Sequence, residues 1–239
     1  MIPSSNEIYK NLAPFYRTYS NKRQAYLDGV DAQIIPYIFD QKTLLDLGTG
    51  DGFRILHLLE KSGKKLKKVT LVDSCSEMLN RLKGNKFVEV KKQDFSSKKF
   101  ALNSKYDVIT SLWNVLGHIA GPSVLQALKN IAKHLKKDGV VIIDINNRYN
   151  YKQYGTKALK NYFLDKVRKV QTGDISFEFS CNNKKIPSFV HLFSQKEIEC
   201  LFQKAGFVVK KRLYINYQTG TLEKNQFSGQ LFYVLSLKK

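Results

Sequence analysis

The segment LLDLGTGDG (residues 44–52) carries the residues best suited to binding a ligand. An apolar run ends at Asp46, and Gly48, Gly50 and Gly52 then alternate with polar residues before a helical pattern begins. Because glycine has no Cβ, such a loop lets the backbone pass close to a ligand. Ligands of open α/β sheets bind at the carboxyl ends of the strands. The segment therefore predicts a ligand-binding turn between a strand and a helix.

A dinucleotide site is the nearest alternative, since its G-x-G-x-x-G fingerprint also follows a strand. When the fingerprint is started at Gly48, its third glycine falls on Phe53. The third glycine is needed for close packing of the helix on the strand, and a phenylalanine there would obstruct it. This residue disfavours a nicotinamide dehydrogenase.

Two further acidic residues follow the next two apolar runs of the chain. Asp73 ends the run 68–73, and Asp94 follows the run 87–90 and precedes Phe95. A carboxylate at the end of the second strand can accept hydrogen bonds from ribose hydroxyls. An acid after the third strand can face an adenine amino group, with an aromatic ring packed beside the base. Together the two acids predict one nucleoside pocket.

With these motifs, residues 9 to 145 resemble a class I S-adenosylmethionine-dependent methyltransferase, and the C-terminal part resembles it in outline. The resemblance implies S-adenosyl-L-methionine as the cofactor, with the glycine loop facing its methionine part and Asp46 lying beneath. It also implies that Asp73 holds the ribose. The implied cofactor-binding residues are Tyr16, Asp46, Gly48, Gly50, Asp73, Ser74, Met78, Asp94, Phe95 and Leu112. Met78 fits ordinary helix core equally well.

The same resemblance places the methyl acceptor beside the end of the fourth strand, in SLWNVLGHI (111–119). His118 is the candidate general base, since histidine titrates near neutrality; a hydrogen-bonded helix histidine is the alternative. The N-terminal segment is expected to cover the cofactor, where Arg17 would reach its carboxylate or close the acceptor site. The substrate-binding candidates are Tyr9, Trp113, Asn114, Arg148 and Tyr149. No metal site is predicted.

Strands and helices alternate from Thr43 to Ile145, which predicts a parallel sheet with helices on both faces. The predicted strands there are 43–47, 68–73, 87–90, 106–112 and 139–145; the helices are 51–61, 74–83 and about 123–136. Ser74-x-x-Glu77 and Ser194-x-x-Glu197 predict capping boxes. After a helix at 151–168, a strand pair at 170–180 and 186–193, and a helix ending at 205–206, the chain ends in an antiparallel pair.

The fold class predicted is α/β: a Rossmann-like, doubly wound, seven-stranded sheet in three layers with an antiparallel C-terminal hairpin. We expect a single methyltransferase domain over residues 1–239, with an N-terminal cap (1–25) and an insertion or lid (146–193). The scattered Cys75, Cys181 and Cys200 form no C-x-x-C pair, which disfavours a disulfide framework. With no signal-peptide core and no long apolar run, a cytoplasmic protein without membrane insertion is expected.

The formal net charge of +20 leaves the acceptor open. Such a charge is typical of nucleic-acid partners, but arginine, the better phosphate ligand, contributes only seven of the 40 basic residues. The proline-containing N/D-P-P-Y/F motif of many base methyltransferases is replaced by SLWN (111–114). A small-molecule acceptor is therefore favoured. An RNA or tRNA methyltransferase and a non-catalytic S-adenosylmethionine-binding protein stay as alternatives, and the sequence does not predict the oligomeric state.

Overall fold

The computed structural model describes residues 5–168, 173–181 and 184–238. The helices within these ranges are α1 (Ser5–Leu12), α2 (Tyr16–Asn21), α3 (Gln24–Ile34), α4 (Phe53–Ser62), α5 (Ser76–Leu79), α6 (Gly121–His134), α7 (Tyr151–Tyr154), α8 (Thr156–Phe163) and α9 (Gln195–Lys204). The strands are β1 (Thr43–Leu47), β2 (Lys68–Asp73), β3 (Glu89–Lys92), β4 (Tyr106–Ser111), β5 (Leu135–Ile145), β6 (Asp174–Cys181), β7 (Lys184–His191), β8 (Phe207–Ile215), β9 (Leu222–Glu223) and β10 (Gln230–Leu237).

The main sheet has the strand order β3-β2-β1-β4-β5-β10-β8-β9. Strands β1 to β5 pair in parallel, whereas β10 runs antiparallel to both β5 and β8. This order confirms the predicted doubly wound sheet with an antiparallel C-terminal pair. The eighth strand beyond the predicted seven is β9, which is only two residues long. Strands β6 and β7 form a separate antiparallel pair.

Side chains of the central strands point alternately to two helix layers, as the period of a strand requires. In β1, Leu45 and Leu47 join the cluster that contains α6 and α9, while Leu44 joins the cluster that contains α3 and α4. In β5, Ile143 belongs to the cluster with α6 and α9, and Ile142 belongs to the cluster with α3 and α4. Both faces of the sheet are therefore apolar and covered, which gives the predicted three layers.

A buried carboxylate connects the sheet to the α3–α4 layer. Asp144, near the end of β5, is 0% exposed. It accepts hydrogen bonds from the Tyr26 hydroxyl at 2.8 Å and from the backbone N–H of Trp113 at 2.6 Å. The Arg54 guanidinium lies 3.8 Å away and also binds Asp31 at 3.0 Å. Because an unpaired buried charge is costly, these partners hold α3, α4 and the end of β4 together.

One capping box is confirmed and the other is wrong. The Ser194 hydroxyl accepts from the backbone N–H of Glu197, and the Glu197 carboxylate accepts from the backbone N–H of Ser194, as predicted. At the other site, α5 begins at Ser76, two residues after the predicted start, with Cys75 as its N-cap and no side-chain cap. The Glu77 carboxylate accepts from the Ser76 hydroxyl at 3.1 Å instead, and the Asp73 carboxylate accepts from the Cys75 N–H at 2.9 Å.

Other boundaries shift by a few residues. Strand β3 lies at 89–92 rather than 87–90, and β5 begins at Leu135 because it continues past a bulge. The helix predicted at 151–168 is divided at Gly155 into α7 and α8 and ends in a π-helical turn, the π-turn (Leu164–Arg168). Residues 170–172 of the predicted strand, like parts of the proposed cap and insertion (1–4, 169–172 and 182–183), lie outside the described residues.

Within the part of the chain that the structure describes, no helix combines the length and the apolar character needed to cross a bilayer.

We expect Asp144→Ala to lower the free energy of unfolding by about 3 kcal/mol, because it removes the carboxylate from its buried partners. Urea unfolding measures this as a lower midpoint at an unchanged slope. The matched control is Asp138→Ala, at an exposed position of the same strand, where we expect a change within about 0.5 kcal/mol. Equal losses in the two variants would contradict a structural role for the Asp144 network.

Candidate functional site

The glycine loop between β1 and α4 has a conformation that excludes most side chains. Gly48 and Gly50 have φ of +74° and +61°, in the left-handed region that favours glycine. A Cβ built on Gly48 would lie 2.5 Å from a methyl group of Val115. The N–H of Gly50 donates to Asp73 Oδ2 at 2.8 Å. The loop is thus packed from one side and hydrogen-bonded to the end of β2.

Asp73 is the carboxylate around which this end of the sheet is arranged. Its Oδ1 accepts from the N–H of Cys75 at 2.9 Å, while its Oδ2 accepts from Gly50. Burial raises the pKa of the Asp73 carboxyl, and the backbone donors oppose that rise. Each carboxylate oxygen has a second lone pair, so the group can still accept ligand hydroxyls.

A cavity of about 570 Å³ opens along the carboxyl ends of β1, β2, β3 and β4. Its volume lies in the range of small-molecule sites, about 300–1,000 Å³. Among the predicted cofactor-binding residues, those that line it are Tyr16, Gly48, Gly50, Asp73, Ser74, Asp94, Phe95 and Leu112. The structure therefore brings together residues that span almost a hundred positions of sequence.

The two residues predicted for the adenine end differ in how they line this cavity. Asp94 Oδ1 accepts from the backbone N–H and the hydroxyl of Ser96, at 2.8 and 2.7 Å, so it also holds its own turn. Phe95 is mostly buried in the core cluster beneath α6 and reaches the cavity with a small part of its surface.

Two of the predicted cofactor residues lie behind the glycine loop rather than on the main cavity. Asp46 accepts from the Thr110 hydroxyl at 2.6 Å, and burial raises the pKa of its carboxyl. It lines a small neighbouring cavity of about 50 Å³. Met78 packs with Ala13 and Cys75, and its methyl group lies 3.1 Å from where a Gly50 Cβ would be. Met78 is thus core that supports the loop.

The N-terminal helices dock on the glycine loop through Arg17. Its Nε lies 2.6 Å from a carboxylate oxygen of Asp51, and its guanidinium lies 3.4 Å from the centre of the Phe53 ring. This pairing places the predicted carboxylate-binding arginine on a protein carboxylate instead. Sequence reasoning missed Asp51, although it stands within the glycine motif.

A second, smaller chamber of about 70 Å³ adjoins the main cavity. Four residues line both spaces: Tyr9, Tyr16, Trp113 and His118. Trp113 and Asn114 both have φ of +61°, which is uncommon for residues other than glycine and strained for a bulky one. This backbone turn after β4 brings the Trp113 ring to the boundary between the two spaces. The other lining residues of the chamber are Leu12, Tyr19, Asn114, Asn146, Phe177, Phe179, Val190 and Tyr217.

Aromatic rings form most of the wall of this chamber. The Tyr19 ring stacks on Trp113 with centroids 5.6 Å apart, and Phe179 meets Tyr19 edge-on at 5.0 Å. Tyr16 lies 5.7 Å from Trp113. Of the residues that line the chamber, Tyr9, Trp113 and Asn114 were predicted as substrate-binding candidates and Tyr16 as a cofactor-binding residue, whereas Tyr19, Phe177, Phe179 and Tyr217 were missed because no motif gave a signal.

His118 lies on the wall shared by the two spaces, in a 3₁₀ turn at Val115–His118. Its Nδ1 is 3.0 Å from the carbonyl oxygen of Phe189. A carbonyl can only accept, so Nδ1 carries the proton and Nε2 carries a lone pair. Burial lowers the pKa of His118 to about 4. The residue is therefore a neutral hydrogen-bond acceptor, as in the alternative of a hydrogen-bonded histidine, and its role as a general base stays a prediction.

Arg148 and Tyr149, predicted as substrate-binding candidates, are not among the residues found to line either space. Arg148 is 2% exposed and binds the carboxylates of Asp165 and Glu197. The Tyr149 hydroxyl donates to Asp165 at 2.7 Å. Their polar groups are engaged in a network that joins the segment after β5 to the π-turn and to α9.

Comparisons with known proteins identify the family of this chain. Residues 19–211 match the family described as a methyltransferase domain. An uncharacterized protein of Methanocaldococcus jannaschii is 29% identical over 224 residues, which cover 91% of this chain and 82% of that protein.

Two solved structures illustrate the similarity of fold. A S-adenosylmethionine-dependent methyltransferase from Clostridium acetobutylicum superposes with a TM-score of 0.63 at 18% identity, over 91% of this chain and 92% of that one. A putative methyltransferase, in a complex with the Haloferax volcanii Trm112 methyltransferase activator, gives 0.69 at 16% identity, over 99% and 98%.

We expect Asp73→Ala to weaken the binding of S-adenosylhomocysteine by about 1–3 kcal/mol, because a ribose acceptor is lost. Isothermal titration calorimetry measures the change. Asp40→Ala is the matched control, since Asp40 is an exposed carboxylate that accepts the backbone N–H of Lys65 at 2.8 Å. Unchanged affinity in a folded Asp73→Ala variant would refute the ribose assignment.

We expect Gly48→Val to reduce the same affinity at least about tenfold, or about 1.4 kcal/mol, because the side chain meets Val115 and strains a left-handed residue. Gly63→Val is the control for backbone strain without a steric clash, since Gly63 has a φ of +63° and open space around its Cβ position. Wild-type affinity in a folded Gly48→Val protein would be incompatible with this loop as the ligand cradle.

Proposed function

The chain belongs to the class I S-adenosylmethionine-dependent methyltransferases, and we propose that it methylates a small molecule held in the aromatic chamber. The observation that carries the proposal is the junction between the two spaces. The larger cavity has the glycine loop and Asp73, and the smaller one meets it across Tyr16, Trp113 and His118. One space suits the cofactor and the other suits the acceptor.

The residues of the larger cavity fit the cofactor. At Gly48 the loop has only backbone, where a Cβ would clash with Val115, and the buried Asp73 carboxylate has lone pairs that can accept from hydroxyl groups. When bound, S-adenosylmethionine supplies an activated methyl group on a sulfonium. The chain's own residues then have three tasks: to bind, to orient the acceptor in line with that methyl group and to exclude water.

The walls of the chamber are suited to these tasks. Helices α1 and α2 supply Tyr9, Tyr16 and Tyr19, and β6 supplies Phe177 and Phe179, so three separate elements contribute to the cover over the sheet end. The space is about 70 Å³ and is mostly apolar in its lining. It suits a small group held away from water better than a polymer backbone that must stay hydrated.

An RNA acceptor is the second candidate, and the net charge of +20 is the observation that favours it. Such a substrate would bind through phosphate contacts, and its affinity would fall steeply with added salt. A small-molecule enzyme would show little binding to RNA at physiological salt. This difference separates the two candidates without knowledge of the acceptor.

The test follows methyl transfer from radiolabelled S-adenosylmethionine into two substrate pools: the low-molecular-mass fraction of a cell extract and total RNA. We expect label to enter the first pool, and Gly48→Val protein to show background transfer. Label that enters RNA, with a rate that falls steeply as salt is raised, would replace the small-molecule proposal by the RNA one. Cofactor binding without transfer to either pool would favour a non-catalytic binding protein.

A further inference from the structure

We propose that the aromatic chamber is a cage for a basic aliphatic amine, whose nitrogen is the methyl acceptor. The inference rests on the proposed function and narrows its substrate class. It is argued from the residues that line the chamber and from the movement of positive charge during methyl transfer.

The lining combines aromatic faces with an absence of ionised side chains. Six tyrosine or phenylalanine rings and one indole face the space, together with His118 and two asparagines. Among the described residues that line it, no Asp, Glu, Lys or Arg occurs. Burial also raises the pKa of Tyr19, to about 12, and that of Tyr217, so these hydroxyls stay protonated. The residues that line the chamber are therefore uncharged and mostly aromatic, and the π-systems of such rings attract cations; outside the lining, the Arg23 guanidinium lies 4.8 Å from the centre of the Tyr217 ring.

The arrangement of the rings suits a cation. Trp113 and Tyr19 stack on each other, and Phe179 stands at 84° to Tyr19, so the rings that line the space lie in more than one plane. An ammonium group over such faces is attracted by about 0.5–1 kcal/mol at exposed sites and by about 2 kcal/mol or more when desolvated. An anionic acceptor, such as a carboxylate or a phenolate, would be repelled by the same faces.

Charge balance favours an amine over a hydroxyl. The lone pair of a neutral amine forms the new N–C bond, the C–S bond breaks with its electron pair left on sulfur, and the positive charge passes from sulfur to nitrogen. A secondary amine has to enter the chamber as the free base, having lost its proton to bulk solvent, and it becomes a tertiary ammonium whose positive charge the aromatic rings stabilise as it forms. A hydroxyl acceptor would have to lose its proton. The described lining offers no carboxylate to take it, and the lowered pKa of His118, about 4, makes that residue a poor acceptor of protons.

His118 serves this reaction as a positioning residue. Because its Nδ1–H is fixed on the Phe189 carbonyl, Nε2 is the ring atom available to accept an N–H of the amine. That hydrogen bond would turn the amine lone pair away from His118 and toward the main cavity, which His118 also lines.

The test uses Trp113, which is the only tryptophan of the chain and so a site-specific fluorescence reporter. The full-length protein is titrated with choline and with its neutral isostere 3,3-dimethylbutan-1-ol, without cofactor and at constant ionic strength. We expect saturable fluorescence change with choline at a dissociation constant about tenfold or more below that of the isostere. Equal affinities, or no binding of choline, would overturn the proposal.

Variants of the cage provide the controls. Tyr19→Leu and Phe179→Leu each should remove most of the preference for choline, while Tyr19→Phe should keep it because the ring face is retained. Phe87→Leu, at a ring that is 91% exposed and outside the chamber, should leave the preference unchanged. A preference that survives in both folded leucine variants would also overturn the cage.

Calorimetry with S-adenosylhomocysteine on the same samples separates this inference from the proposed function. Binding of S-adenosylhomocysteine without a preference for choline would refute the amine cage alone. Failure to bind S-adenosylhomocysteine would refute the proposed function, whatever the chamber binds.

Discussion

The site depends on how one fully buried carboxylate is satisfied. Asp144 sits at the end of the central strand β5, where a charge without partners would be strongly destabilising. Its partners are the Tyr26 hydroxyl from α3, the Arg54 guanidinium from α4 and the backbone N–H of Trp113. The last of these fixes the chain just after β4 and holds Trp113 in its left-handed conformation. The hydrogen bonding of the buried Asp144 carboxylate thus determines the position of the Trp113 indole between the two cavities.

The same end of the sheet shows how separate parts of the chain become one surface. Parallel strands end together, so the glycine loop, Asp73 and the turn after β4 meet without any long-range motif. The N-terminal helices are then held over them by the ion pair of Arg17 with Asp51 and by the Arg17–Phe53 contact. This docking supplies Tyr16 and Tyr19 to the walls. The walls of both cavities therefore depend on one continuous set of contacts.

The sequence predicted the parts of the fold and site whose signal is local. The glycine loop, the alternation of strands and helices, and the acids at strand ends are short patterns, and they led to the sheet and to most residues around the main cavity. The aromatic chamber was only partly predictable, because Tyr19, Phe179 and Tyr217 meet through tertiary packing. Arg148 was predicted as a substrate-binding candidate because the sequence does not show its ion pairs with Asp165 and Glu197, which are distant in sequence. The capping box predicted at Ser74 was wrong because the Glu77 carboxylate binds the neighbouring Ser76 hydroxyl and Cys75 is the N-cap, which the two-residue pattern does not show.

The most direct test of the account is calorimetric titration of the unmodified protein with S-adenosylhomocysteine and, separately, with NAD. The geometry of the glycine loop and the site of Asp73 predict saturable binding of one S-adenosylhomocysteine per chain and no measurable heat from NAD. Binding of NAD in place of S-adenosylhomocysteine, or of neither, would contradict the assignment of this cavity to the methyl-donor cofactor.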